Sequence, residues 1–214
     1  MTGTHTMPMT FDLSANELAA QLCSKVCHDV ISPVGALNMS LEMLDDPGSR
    51  DDALDLVAKS ATKASAVLQF CRLAYGASGS AGASIDTGDA EKVAQAYMDG
   101  ERTQIAWQVE RMILPKNKVK LLLNLMLIAA AAIPRGGTVT ITAEGAEGDR
   151  FRFHAEGKRV RVPVEFDEMV DGDMPEGGIG STSVQPYYAL LLAKECDMPV
   201  SVELGETDVT INAG

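Results

Sequence analysis

Two apolar helical stripes flank the turn signal Asp45-Asp-Pro-Gly48, and this pairing narrows the possible folds more than any other feature of the chain. Ser14-Ala-Asn-Glu17 fits a capping box and predicts a helix that runs to about Leu44. At about 100° per residue, Leu22, Val30, Pro33, Leu37, Leu41 and Leu44 fall within about 60° of Val26, forming a core-facing stripe. Pro33 removes one backbone donor inside this helix and is expected to bend it. Ser49, followed by Asp52, is expected to cap a second helix over residues 51–75. Its Leu54, Val57, Ala61, Ala64, Leu68, Cys71 and Tyr75 recur at spacings of three and four. A single hairpin cannot bury both stripes, whereas two hairpins can as a four-helix bundle, so the pattern predicts a homodimer. Small residues on the second helix, such as Ala53, Ala58, Ser60 and Ala61, allow close approach.

One histidine stands apart from this stripe. His28 lies about 200° from Val26 and points off the buried face, among Gln21, Ser24, Lys25, Ser32 and Gly35. A surface histidine needs no role, but a ring surrounded by small and polar residues is open to another macromolecule.

The run Gly76-Ala-Ser-Gly-Ser-Ala-Gly-Ala-Ser84 marks the clearest boundary in the chain. It divides the chain into a disordered tail over 1–12, a helical hairpin over 13–76, a linker over 77–85 and an α+β region over 86–214. Within that last region the patterns predict helices over 89–98, 117–133 and 185–195. Strands are expected over 104–109, 138–143, 151–155, 200–204 and 209–212, with an irregular acidic stretch over 163–180. Helices interleaved with hairpin-like strand pairs predict an α+β sandwich, helices packed on one sheet.

The formal net charge of −12 argues against nucleic acid and anionic membrane as partners. Residues 1–10 lack the regions of a signal peptide, and the apolar run over 119–133 is short for a membrane span, so a cytoplasmic protein is expected. Cys23, Cys27, Cys71 and Cys196 form no CxxC pair, and no metal site is expected.

The run His28-Asp29-Val-Ile-Ser32-Pro33 resembles the phospho-accepting box of sensor histidine kinases, and the C-terminal region resembles their ATP-binding (Bergerat) fold. Residues 122–137, ending in Pro-x-Gly-Gly, are similar to the Asn-rich box of that fold, and residues 187–203 to its last long helix and strand. The departures lie in the nucleotide site. By the resemblance, the Mg-coordinating Asn falls on Ile128. The Asp-x-Gly-x-Gly loop reads Ala155-Glu-Gly157-Lys-Arg159, and the last glycine-rich run reads Thr182-Ser-Val-Gln-Pro186. An alkyl side chain cannot hold hydrated Mg²⁺, and a loop without close-packed glycines offers no phosphate cradle. ATP binding is therefore not expected.

A kinase-shaped chain with an intact histidine and a degenerate nucleotide site is similar to the ChpT-type histidine phosphotransferases of alphaproteobacteria, over essentially residues 14–212. The runs Val26-Cys-His-Asp-Val-Ile-Ser-Pro-Val-Gly-Ala36 and Leu114-Pro-Lys-Asn-Lys-Val-Lys-Leu-Leu-Leu-Asn124 carry that likeness. The resemblance implies a homodimeric, cytoplasmic phosphorelay carrier with no bound cofactor, any Mg²⁺ being held by the partner receiver domain. Its donor would be the receiver of a CckA-like hybrid kinase, and its acceptors CtrA-like and CpdR-like receivers, with a role in cell-cycle regulation.

Under that reading His28 accepts the phosphoryl group and Asp29 orients or polarises the ring. Ser24, Lys25, Ser32, Gly35 and Ala36 are candidate partner contacts, with Lys25 placed to meet phosphate or an acidic receiver pocket. Ser32 could instead support hydrolysis, and Asp29 and Lys25 could be solvated charges on a helix. Alternatives to the carrier are an ATP-dependent kinase with a degenerate site, a receiver-binding module without chemistry, and a receiver phosphatase. The C-terminal region serves either as a docking surface or as scaffold.

Overall fold

The computed structural model describes residues 10–76 and 83–214. Helix α1 (Ala15–Glu42) opens on the expected capping box: Ser14 Oγ accepts from the Glu17 N–H at 3.3 Å, and the Ser14 N–H donates to Glu17 Oε2 at 2.9 Å. The Ser14 hydroxyl, donating to Glu17 Oε2 at 2.7 Å, and then the Ser14 N–H hold the Glu17 carboxyl below its usual range. Ser14→Ala should lower stability by about 1 kcal/mol, read as a drop in the thermal midpoint. The helix passes through Pro33, which is buried, without ending.

A 3-10 turn (Met43–Asp45) leads to α2 (Arg50–Ala74). Here the expected cap is absent. The Ser49 hydroxyl turns back and donates to Asp46 Oδ2 at 2.8 Å, and the Gly48 N–H donates to Asp46 Oδ1, so Asp46 organises the turn.

The face that α2 buries within the single hairpin overlaps its predicted stripe only at Cys71. Ala53, Ser60, Ala66, Val67, Phe70, Cys71 and Ala74 face inward, whereas Leu54 and Leu68 are about half exposed. The helix has two apolar faces. The inner one is built largely from small residues that let the two helices approach, and it leaves the leucines uncovered. Ile31, Val34, Met39 and Leu41 of α1 are likewise exposed. Large apolar side chains left in water over this length of hairpin mark an unpartnered surface.

The remaining elements are β1 (Ser84–Asp86), α3 (Thr87–Met98), β2 (Thr103–Trp107), β3 (Ile113–Pro115), α4 (Lys116–Ala131), β4 (Gly137–Glu144) and β5 (Arg150–Gly157). After them come α5 (Val164–Asp171), α6 (Val184–Glu195), β6 (Val200–Leu204) and β7 (Asp208–Ala213). The main sheet has the order β2-β4-β5-β7-β6, with β2 parallel to β4 and the other neighbours antiparallel. Phe151, Phe153 and Ala155 of β5 are buried while Arg152 and Glu156 are exposed, so one face of the sheet carries the core. Helix α4 lies across that core, with Leu121, Leu122, Leu123, Leu125, Met126 and Ile128 all essentially inaccessible. Helical N-terminal and α+β C-terminal parts are therefore both present, as the sequence predicts.

Three elements, α5, β1 and β3, are not among those the sequence predicts. Helix α5 lies in the stretch expected to be irregular: Phe166 and Met169 anchor it, and Gly172 ends it in the left-handed region at φ 101°. The surrounding acidic residues mask that short apolar face in the sequence. Strand β1 pairs with β3, so Ser84 and Ile85, expected to belong to the linker, are in a small antiparallel sheet. The linker's residues 77–82 and the tail's residues 1–9 lie outside the described residues. Phe11, inside the predicted tail, packs edge-on to Tyr187 at 5.3 Å, and the Leu13 N–H just after it donates to the Tyr187 hydroxyl at 3.1 Å.

The turn Pro134-Arg-Gly-Gly137 has a steric role. Gly137, at φ 151°, starts β4 so close to β5 that a Cβ would lie 1.9 Å from the Glu156 carbonyl oxygen.

The hairpin and the sheet region share one hydrophobic core. Phe70 and Ala74 of α2 belong to the same buried cluster as α4 and α6, and Phe70 stacks on Tyr97 of α3 at 4.3 Å. A polar clamp reinforces this junction. The Lys63 ammonium donates to the carbonyls of Tyr97 and Asp99 at 2.6 and 3.3 Å and to Glu101 Oε1 at 2.7 Å. The sheet region is thus fixed against the helical face that carries His28.

Candidate phosphotransfer site

His28 lies near the middle of α1, on the side turned from the helix's own core stripe, and its side chain is 81% exposed. The next side chain, Asp29, is only 13% exposed. Its Oδ1 lies 3.4 Å from His28 Nδ1, long for a hydrogen bond. Its Oδ2 pairs with Lys25, one helical turn earlier.

Lys25 therefore does not occupy the position foreseen for it. Its side chain is 18% exposed and its ammonium is committed to Asp29. A four-carbon stem at i and a carboxylate at i+4 meet on one helix face, and burial of that face holds them together. Beneath the pair is Cys71 of α2, whose thiol is pushed up to about 11, mainly by burial and secondarily by the Asp29 charge. Such a thiol is inert at neutral pH. Tyr75 and Tyr97 also sense Asp29, after the dominant effect of their own burial, and both hydroxyls are raised.

A cavity of about 450 Å³ opens beside His28. Asp29, Ser32 and Ala36 line it from α1, so four of the predicted residues share one site. Ser24 and Gly35 are not among its lining residues, and both are exposed. A Cβ on Gly35 would meet nothing within 4 Å, so the chain's own packing does not require its smallness. The opposite wall comes from residues the sequence reading did not single out: Lys59, Ser60, Lys63 and Val67 of α2, then Tyr97 and Glu101. The α2 residues could have been found by counting equal distances out from the turn at Asp46, since an antiparallel hairpin then sets Ala64, between Lys59 and Val67, across from His28. No local signal marks Tyr97 or Glu101.

Across the molecule, Ile128 is 1% and Ala155 0% exposed, both inside the core between α4 and the sheet. A Cβ on Gly157 would lie 2.9 Å from both the Gly136 carbonyl oxygen and Ile133, while Arg159 is exposed. Asn124, one turn before Ile128, is fully buried and donates to the Lys120 carbonyl at 2.9 Å. The positions that the resemblance assigns to Mg²⁺ and adenine recognition are thus occupied by packed alkyl groups. Among the described residues, no three His, Cys, Asp or Glu side chains are grouped to hold a metal ion, and no helix is long and apolar enough to cross a membrane.

A helical hairpin presenting an exposed histidine is thus joined to an α+β layer. The model of the histidine phosphotransferase C-terminal domain matches residues 87–208. The protein phosphotransferase ChpT of Brucella abortus (strain 2308) is 50% identical over 208 residues, covering 97% of this chain and all of that protein. A solved structure described as a bacterial phosphotransferase superposes with a TM-score of 0.90 at 47% identity, covering 96% of this chain and all of the other. The chain belongs to the histidine phosphotransferase family and is a ChpT-type phosphotransferase of a phosphorelay.

Proposed function

We propose that His28 is the residue that carries the phosphoryl group, taking it from an aspartyl phosphate on one receiver domain and passing it to another. The observation that carries this reading is the combination of an exposed imidazole with a carboxylate held against its Nδ1, at the mouth of a cavity walled by both halves of the chain. Asp29 keeps the proton on Nδ1, which leaves the lone pair on Nε2 as nucleophile. A phosphoryl transfer of this kind passes through a loose transition state, so holding the ring in line with the acyl phosphate does most of the work. Mg²⁺ belongs to the receiver. The donor is a CckA-like hybrid kinase receiver and the acceptors are CtrA-like and CpdR-like receivers, which would place the protein in cell-cycle control in the cytoplasm.

The protein is a homodimer, since Ile31, Met39, Leu54 and Leu68 are the kind of surface a second hairpin covers in a four-helix bundle. It also works without ATP, because alkyl groups stand where nucleotide recognition needs oxygen ligands. The testing experiment offers purified protein a ³²P-labelled receiver in one reaction and labelled ATP in another. Acid-labile label from the receiver alone supports the carrier. Label taken directly from ATP would make it a kinase, and binding to the receiver with no label would make it a docking module.

A further inference from the structure

The ion pair beneath His28 has features that a surface helix pair lacks. Lys25 and Asp29 are 18% and 13% exposed, so both charges have given up most of their water. The Asp29 carboxylate is divided between partners, Oδ2 to Lys25 and Oδ1 toward His28 Nδ1. Around the pair stand Cys71, Tyr75 and Tyr97, groups that sense the Asp29 charge. A pair of this order, with Lys N-terminal to Asp, is the weaker arrangement for stabilising a helix. Helix stability therefore gives little reason to bury it.

We propose, on the reading that His28 accepts the phosphoryl group, that Lys25 is a positioning residue: it fixes the Asp29 carboxylate so that Oδ1 faces His28 Nδ1. Without Lys25, a carboxylate in this half-apolar niche gains more by rotating toward water than by facing the ring. With Lys25, one oxygen is tethered, and the planar geometry of the carboxylate places the other beside the imidazole. In the transfer, the bond from phosphorus to the receiver's aspartyl oxygen breaks and that oxygen leaves with the electron pair. The Nε2 lone pair forms the new bond to phosphorus, while the proton stays on Nδ1. The phosphorylated ring is then a cation, which Asp29 stabilises from the position Lys25 sets. Lys25 acts through Asp29 and does not touch the phosphoryl group.

The test compares wild type with Lys25→Met and Lys25→Arg in the full-length protein. Lys25→Met keeps a stem of similar length without the charge, and Lys25→Arg keeps the charge and can still reach the carboxylate. The ring ¹⁵N shifts of His28 in the phosphate-free protein report the tautomer, and rapid quench with a labelled receiver reports the transfer. Lys25→Met is expected to lose the preference for Nδ1–H and to slow transfer on the order of tenfold, with receiver affinity unchanged and both readouts largely restored in Lys25→Arg. An unchanged tautomer in Lys25→Met overturns the proposal. So does a loss confined to receiver affinity, which would make Lys25 a docking contact. If wild-type His28 takes no label at all, the carrier reading fails, while the tautomer measurement still decides what Lys25 does.

Discussion

His28→Gln is expected to abolish acid-labile labelling completely while leaving the fold and the affinity for receiver domains in place. Glutamine fills similar space and keeps polar atoms near Asp29, but its amide nitrogen has no lone pair free to attack phosphorus. Because the side chain is 81% exposed, its loss leaves no core cavity, and the Asp29 carboxylate keeps its pairing with Lys25. The stability change should stay within about 0.5 kcal/mol, the usual range for a surface position. Phosphor imaging of the variant against wild type, beside a receiver pull-down, separates loss of chemistry from loss of docking. Label persisting on the variant would mean that another side chain is the acceptor.

The second large effect concerns the junction. Phe70 is fully buried, stacks on Tyr97 at 4.3 Å and belongs to the core cluster shared by α2, α4 and α6. Phe70→Ala should cost about 3–5 kcal/mol, the transfer energy of the ring plus the cavity it leaves. Since one core spans both parts of the chain, hairpin and sheet region should lose stability together. Chemical denaturation followed by helix signal and by Trp107 fluorescence should give coincident curves shifted to lower denaturant. Separate transitions, with only the helical signal displaced, would show that the two parts fold independently. The Lys63 clamp to the carbonyls of Tyr97 and Asp99 gives the same junction a polar component, so the cavity beside His28 has a fixed second wall.

Much of this was legible in the residues. The capping box follows from the Ser14 and Glu17 spacing, the two-helix hairpin from the turn signal between two stripes, and the outward direction of His28 from periodicity, and each is seen in the fold. The face that α2 turns inward within one hairpin is hard to read because that helix carries apolar side chains on two sides, and sequence periodicity marks the larger ones. Leu54 and Leu68 outweigh Ala53 and Ser60 in such a pattern, although close helix approach requires the small residues inside. Strands of three residues, such as β1 and β3, are too short to show alternation, and α5 hides two core residues among acidic ones. Lys25 illustrates a different limit. A lysine beside a histidine looks the same in sequence whether its ammonium faces solvent or a neighbouring carboxylate, and only the fold reveals which side of α1 is walled by Cys71 and Tyr97.

The most direct test of the carrier is a chase. Protein labelled from one ³²P-receiver is freed of it and mixed with a second, unlabelled receiver, and the fate of the label is followed in time. Label should leave His28 and appear on the second receiver, with little inorganic phosphate formed during the transfer. Label released mainly as inorganic phosphate, with release abolished in Ser32→Ala, would contradict a relay and make the protein a receiver phosphatase.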